Sequence, residues 1–183
     1  MTSSPVNCIA ATGEQSRACL ARAWARGGDR GLLAVGDKTY PIVNADDFGR
    51  SPGVNWGIIE AHGGGIVTSA SLMVRWPAAA KVAAYAREHP DLALGLHFDL
   101  GEWVYREGAW LPAYEVVPTD DSSTAVTEEA NRQLAAFHRL LGRDPIHLDS
   151  HLHGHLREPV PSVLIEIAGE FAVPLRHYEP RIR

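Results

Sequence analysis

The chain has 183 residues, a length that suits one domain burying roughly 70 % of its unfolded surface. Its 45 % hydrophobic and 21 % charged content is that of an ordinary globular protein. The net charge of -5, without a Lys/Arg run, argues against a nucleic-acid partner held through its phosphates.

Residues 1–38 differ in character from the rest of the chain and read as a weakly ordered N-terminal extension. Gln15 to Arg26 is a short Arg/Ala-rich helix with a weak apolar stripe, ended by Gly27-Gly28. Residues 39–183 form the (β/α) domain. A buried strand over Tyr40 to Ala45 runs into Asp46-Asp47-Phe48-Gly49. Ser51 then caps a helix with Pro52 at its first position, and Gly63-Gly64-Gly65 ends it. A second strand covers Ile66 to Val74, and Pro77 opens a second helix that stops before Pro90. Leu92 to Leu100 is a third strand, apolar up to His97. Residues 101–126 read as a long irregular excursion, with Trp103 and Trp110 as packing residues, like Trp56 earlier. A helix from Thr127 to Leu141, closed by Gly142, precedes a strand over Pro145 to Leu148. Pro159 to Phe171 is a helix with Val160, Val163, Leu164, Ile167 and Ala168 on one stripe, and Pro174 to Tyr178 is a fifth strand. Strand–helix alternation implies a parallel sheet, either open or a truncated barrel.

The stretch His147-Leu148-Asp149-Ser150-His151-Leu152-His153-Gly154-His155 is the most unusual in the chain. It holds four of nine histidines, and in an extended chain its odd-numbered residues share one face. Three ionisable clusters fall at C-terminal strand ends, where parallel α/β folds build their sites: Asp46-Asp47, His97 and the 147–155 stretch. One carboxylate and two imidazoles with open positions is the pattern of a catalytic metal centre. Each part has a plainer reading: a turn pair for Asp46-Asp47, a hydrogen-bonded strand-end residue for His97. His62, His89 and His138 read as surface or capping residues. Two cysteines, Cys8 and Cys19, form no CxxC pair and fit a reducing cytosol. No apolar run of about 18 residues suggests a membrane span, and no signal peptide is visible, so a cytoplasmic location is expected.

The runs IVNADDFGRSPGVNWGIIEAHGGGIVTSASLMV, LALGLHFDL, RDPIHLDSHLHGH and VPLRHYEPRIR, in this order over about residues 41–183, resemble the YdjC/ChbG-like carbohydrate deacetylases. The resemblance implies a distorted (β/α) barrel of the polysaccharide-deacetylase type, apparently incomplete at the C-terminus. It implies a metal-dependent hydrolase that removes N-acetyl groups from amino sugars of short, chitooligosaccharide-like substrates. By position in the motifs, Asp47, His97 and His151 are the metal ligands and Asp46 the catalytic base. His147 and Asp149 are expected to orient ligands by hydrogen bond. His153 or His155 would face substrate or protonate the leaving amine, unless a residue outside this chain does so. The resemblance favours Mg2+; imidazole-rich ligation favours Zn2+ on chemical grounds. An incomplete barrel would expose a sheet edge, which a homo-oligomer would cover. Two other readings stay open: a different metal hydrolase such as a phosphoesterase on a similar barrel, and an inactive metal- or sugar-binding fragment.

Overall fold

The computed structural model describes residues 41–118 and 122–180. The expected N-terminal extension and its helix lie outside them. Among these residues there are six strands and four α-helices: β1 (Asn44–Phe48), α1 (Pro52–Gly63), β2 (Ser69–Leu72), α2 (Ala79–Glu88), β3 (Ala93–Phe98), β4 (Gly101–Arg106), β5 (Ala109–Glu115), α3 (Ser123–Leu141), β6 (Leu148–Ser150) and α4 (Val160–Phe171). Strands β1, β2, β3 and β6 pair in that order, all parallel. The class is the expected one, an α/β fold on a parallel sheet with polar groups at the C-terminal strand ends, as in a distorted (β/α) barrel.

Burial on both faces explains the apolar run of β3. In β3, Leu94, Leu96 and Phe98 are at most 1 % exposed, while α2 covers the sheet with Val82, Ala83 and Ala86 and α3 with Ala130, Leu134 and Phe137. Each fully buried Leu or Phe contributes about 1.5–3 kcal/mol relative to exposure. The expected stripe of α4 is buried as a set: Val160, Val163, Leu164, Ile167 and Ala168.

The helix ends follow local chemistry. Ser51 Oγ accepts from the Val54 amide at 3.3 Å, with Pro52 in the first turn. Gly142 ends α3 in the left-handed conformation at φ 68°. The same helix begins earlier than expected, at Ser123 rather than Thr127, because Ser122 provides the cap.

Register sets the polar face. Ser71 lies beside Gly95 across β2–β3, and His97 beside Asp149 across β3–β6. The missing side chain at Gly95 lets the His147 ring lie over it; a Cβ there would overlap the ring.

Several expectations need correction. The 147–155 stretch is not one extended face. Only Leu148–Ser150 is strand, and a 3-10 segment (His151–Leu156) follows, with Leu152 and His153 in the left-handed region at φ 50° and 53°. The two-residue alternation is lost there, so the histidines diverge. The fifth strand reduces to one bridge, Leu148 to Leu175. The first strand starts and ends later than expected and includes Asp46 and Asp47. The excursion after residue 100 is largely ordered as the antiparallel hairpin β4–β5, turning at Glu107 (φ 52°) and Gly108 (φ 84°). Trp56 and Trp110 are each 68 % exposed and do not pack as core. His62 is half-buried, its Nδ1 2.7 Å from the Tyr85 hydroxyl, rather than a surface group.

Candidate metal centre

Asp46 and Asp47 are adjacent yet serve different partners. The β1–β2 pairing is irregular between Ala45 and Phe48, and Asp47 takes φ 63°, a conformation that Asp tolerates better than most residues. Past this kink the chain is pinned: the Gly49 amide donates to Asn55 Oδ1 at 2.7 Å, and Asn55 Nδ2 donates to the Ala78 carbonyl at 3.2 Å.

The kink aims Asp47 at two imidazoles. Asp47 Oδ1 lies 3.0 Å from His151 Nδ1 and 3.4 Å from His97 Nε2. Asp47 Oδ2 takes a hydrogen bond from Arg50 at 3.1 Å. The proximity of His151, then of His97, holds the Asp47 carboxyl well below the usual carboxylate range. His97 itself is 2 % exposed. Burial opposes its charge, but Asp149 and Asp47 on either side raise it to about 9.

Asp149 fixes the His97 ring. Its Oδ1 accepts from His97 Nδ1 at 2.7 Å, which turns Nε2 toward Asp47. Asp149 Oδ2 accepts from Ser71 Oγ at 2.7 Å and pairs with Arg176 Nη2 at 2.7 Å. Burial alone would raise the Asp149 pKa; His97 and Arg176 reverse this and lower it. Ser71 Oγ also lies 3.1 Å from His147 Nε2, so His147 reaches Asp149 only through the serine.

Arg176 forms a two-pronged contact with Asp46, 2.9 Å to Oδ2 and 2.8 Å to Oδ1, and Asn44 Nδ2 donates to Oδ1 at 2.7 Å. Burial raises the Asp46 pKa, but Arg176, His97 and Asn44 together outweigh it and the net direction is downward. Glu102, from the hairpin, pairs with Arg50 and stands 3.8 Å from His151 Nε2. The hairpin root is held by Asp99, whose Oδ1 accepts from Tyr114 Oη at 2.9 Å and whose backbone is clasped by Gln133.

The donor atoms of Asp47, His97 and His151 lie within 4.8 Å of one another. Asp47 Oδ1 and His151 Nε2 are buried without a well-aligned hydrogen-bond partner. Such atoms are costly unless something satisfies them. One carboxylate and two imidazoles, with one carboxylate oxygen and one ring nitrogen among them unsatisfied, fit a divalent cation. Asp46, His97 and Asp149 are equally close, but both carboxylates are already paired with Arg176.

Asp46, Asp47, His97, His147, Asp149 and His151 are thus brought to one end of the sheet. His153 and His155 contact His177 instead, with His155 Nε2 2.9 Å from His177 Nδ1. Burial, then His177, depresses His155 to about 4. The residues that sequence reasoning missed are Asn44, Arg50, Ser71, Glu102, Arg176 and His177. All of them except Glu102 lie within the runs carrying the resemblance, which is the signal that could have found them.

A parallel α/β sheet that gathers an Asp-His-His cluster at its strand ends offers the donor set of a metal centre. The chain belongs to the YdjC-like protein family, whose model matches residues 41–183. It is 37 % identical to a chitooligosaccharide deacetylase of Serratia marcescens, covering 74 % of this chain and 58 % of that protein. It is 38 % identical to a carbohydrate deacetylase of Geobacillus stearothermophilus, covering 75 % and 59 %. Among solved structures, a putative cellobiose-phosphate cleavage protein from Enterococcus faecalis is 30 % identical with a TM-score of 0.63, over 76 % of this chain and 59 % of that one. The chain therefore spans somewhat under two thirds of the length of these relatives. Among the described residues, no helix is long and apolar enough to cross a membrane.

Proposed function

We propose that the chain carries the metal centre of a carbohydrate N-deacetylase that releases acetate from amino sugars of short, chitooligosaccharide-like substrates. The observation that carries this reading is the convergence of Asp47, His97 and His151 around unsatisfied buried donor atoms, with Asp46 next to them. The names of the relatives from Serratia and Geobacillus support the substrate class.

Asp47, His97 and His151 would hold the cation, Mg2+ by family resemblance or Zn2+ by ligand chemistry. When bound, a divalent ion lowers the pKa of a coordinated water and polarises the amide carbonyl. Asp149 locks His97 in the tautomer that presents Nε2. Asp46 accepts the proton of the attacking water, and Arg176 and Asn44 keep that carboxylate ionised and aimed. Arg50 and Arg176 both face carboxylates, which leaves them poorly placed to clamp a phosphate and disfavours the phosphoesterase reading.

The test pairs metal analysis with acetate release from di-N-acetylchitobiose. Asp46→Asn is expected to keep metal and lose turnover, while His151→Ala loses metal. Metal bound by the unaltered chain without acetate release overturns the reading, and a fully active Asp46→Asn overturns the base assignment.

A further inference from the structure

We infer that His153, His155 and His177 form a second cation site, specific for a borderline divalent d-block ion such as zinc, copper or nickel. Their donor nitrogens lie within 4.8 Å of one another, and the set contains nitrogen only. Three imidazoles without a carboxylate select zinc, copper or nickel over magnesium or calcium.

The local structure is built to bring these rings together. His155 Nε2 and His177 Nδ1 are 2.9 Å apart, across 22 residues of sequence. His153 faces both rings edge-on, with centroids 6.0 Å from His155 and 5.5 Å from His177. Two of the three, His153 and His177, sit in the left-handed region at φ 53° and 71°. Strain of that kind persists only where surrounding structure imposes it, and it concentrates at functional sites.

His155 is oriented from behind. Its Nδ1 is 2.6 Å from Ser150 Oγ, which also accepts the His155 amide at 2.8 Å. With Nδ1–H donating to the serine, the Nε2 lone pair points at the neighbouring imidazoles, as a hydroxyl or carbonyl does behind a metal-bound histidine. Tetrahedral zinc with bonds of about 2.0–2.1 Å separates its nitrogens by about 3.3 Å. His155 and His177 would part by about 0.4 Å to reach that spacing, and exposed His153 can swing in by a rotamer change.

The position implies what the ion does. It would tie the 3-10 segment after β6 to the segment carrying Arg176, one residue before His177 and the partner of Asp46 and Asp149. The ion therefore clamps the positioning arginine from outside the Asp47 centre. The inference does not depend on the deacetylase reading.

The experiment uses the untagged full chain, titrated with zinc by equilibrium dialysis and with cobalt(II) followed by its visible absorption. Two equivalents are expected for the unaltered chain. His151→Ala should retain one, with cobalt absorption from the histidine trio, and the double variant with His177→Gln should lose it. A saturating excess of zinc, a hundredfold over its Kd, is expected to raise the Tm of His151→Ala by about 5–10 °C, and that rise should vanish in the double variant. His153→Ala, at an exposed position, provides a second reading with little risk to folding. A second equivalent that survives both His177→Gln and His153→Ala overturns the inference, as does a single equivalent that His151→Ala abolishes.

Discussion

Asp149→Asn is the most informative single change at the site. Asp149 is 0 % exposed, and its two oxygens face His97 at 2.7 Å on one side and Ser71 and Arg176 at 2.7 Å on the other. The amide keeps the shape but has one oxygen and one donating nitrogen. If the NH2 faces His97, two donors meet and the ring must give up the tautomer that presents Nε2. If it faces Arg176, a half-buried guanidinium meets a donor and keeps only Asp46 as its carboxylate partner. Removing one member of a buried charge pair costs about 3–5 kcal/mol. For a chain of this size each kcal/mol shifts Tm by about 2–4 °C, so the expected drop is about 6–20 °C. Metal affinity should fall about 10–100-fold, the usual loss when the group orienting a liganding histidine is removed. Calorimetric unfolding and metal titration read the two effects separately. An unchanged Tm together with unchanged affinity would refute the role given to Asp149.

Arg176→Ala removes the group that lowers Asp46, so the acid limb of acetate release should move to higher pH; Arg176→Lys should restore part of the shift, and an unmoved limb contradicts the assignment. Gly95→Ala pushes a methyl into the His147 ring and should cost about 1–3 kcal/mol in denaturant unfolding, with His147→Ala in the same chain recovering part of it. Gly142→Ala, with open space around it but φ 68°, should cost only about 1 kcal/mol, and no partner substitution should rescue it. Burial holds the His147 pKa below the usual 6.5, so the folded chain takes up that proton less readily than the unfolded one. Its contribution to stability is full above pH 6.5 and is lost as pH falls below it. His147→Gln cannot titrate, so its stability deficit should shrink on acidification; parallel stability curves for the two proteins would contradict this.

The meeting of Asp47, His97 and His151 was legible because parallel strands deliver their C-terminal residues to one edge, and apolar runs ending in charged groups mark those edges. That Asp46 and Asp47 face different partners was also legible, since adjacent carboxylates cannot easily point at one atom. The course of residues 151–155 was not. Its alternation is a strand pattern, and nothing in side-chain polarity announces left-handed backbone at Leu152 and His153. The hairpin had a signal: Glu107-Gly108 occupies a turn between two aromatic segments, but Pro112 and the scattered glycines masked it. Arg176 lay in a segment read as plain strand. Its importance depends on the Leu148–Leu175 bridge, which sets it against Asp149, and such long-range pairing cannot be read from the polarity pattern of its own segment.

That bridge also bears on the order in which the molecule is made. Asp46 and Arg176 are 130 residues apart, and closing a loop of that length costs about 4 kcal/mol in chain entropy. The contact is thus among the least local in the chain, and topology of this kind slows folding. Until residues 174–176 dock, the first and last strands of the sheet present carboxylates without the counter-charge that the native state gives them. The electrostatic balance at that end of the sheet therefore depends on completion of the fold.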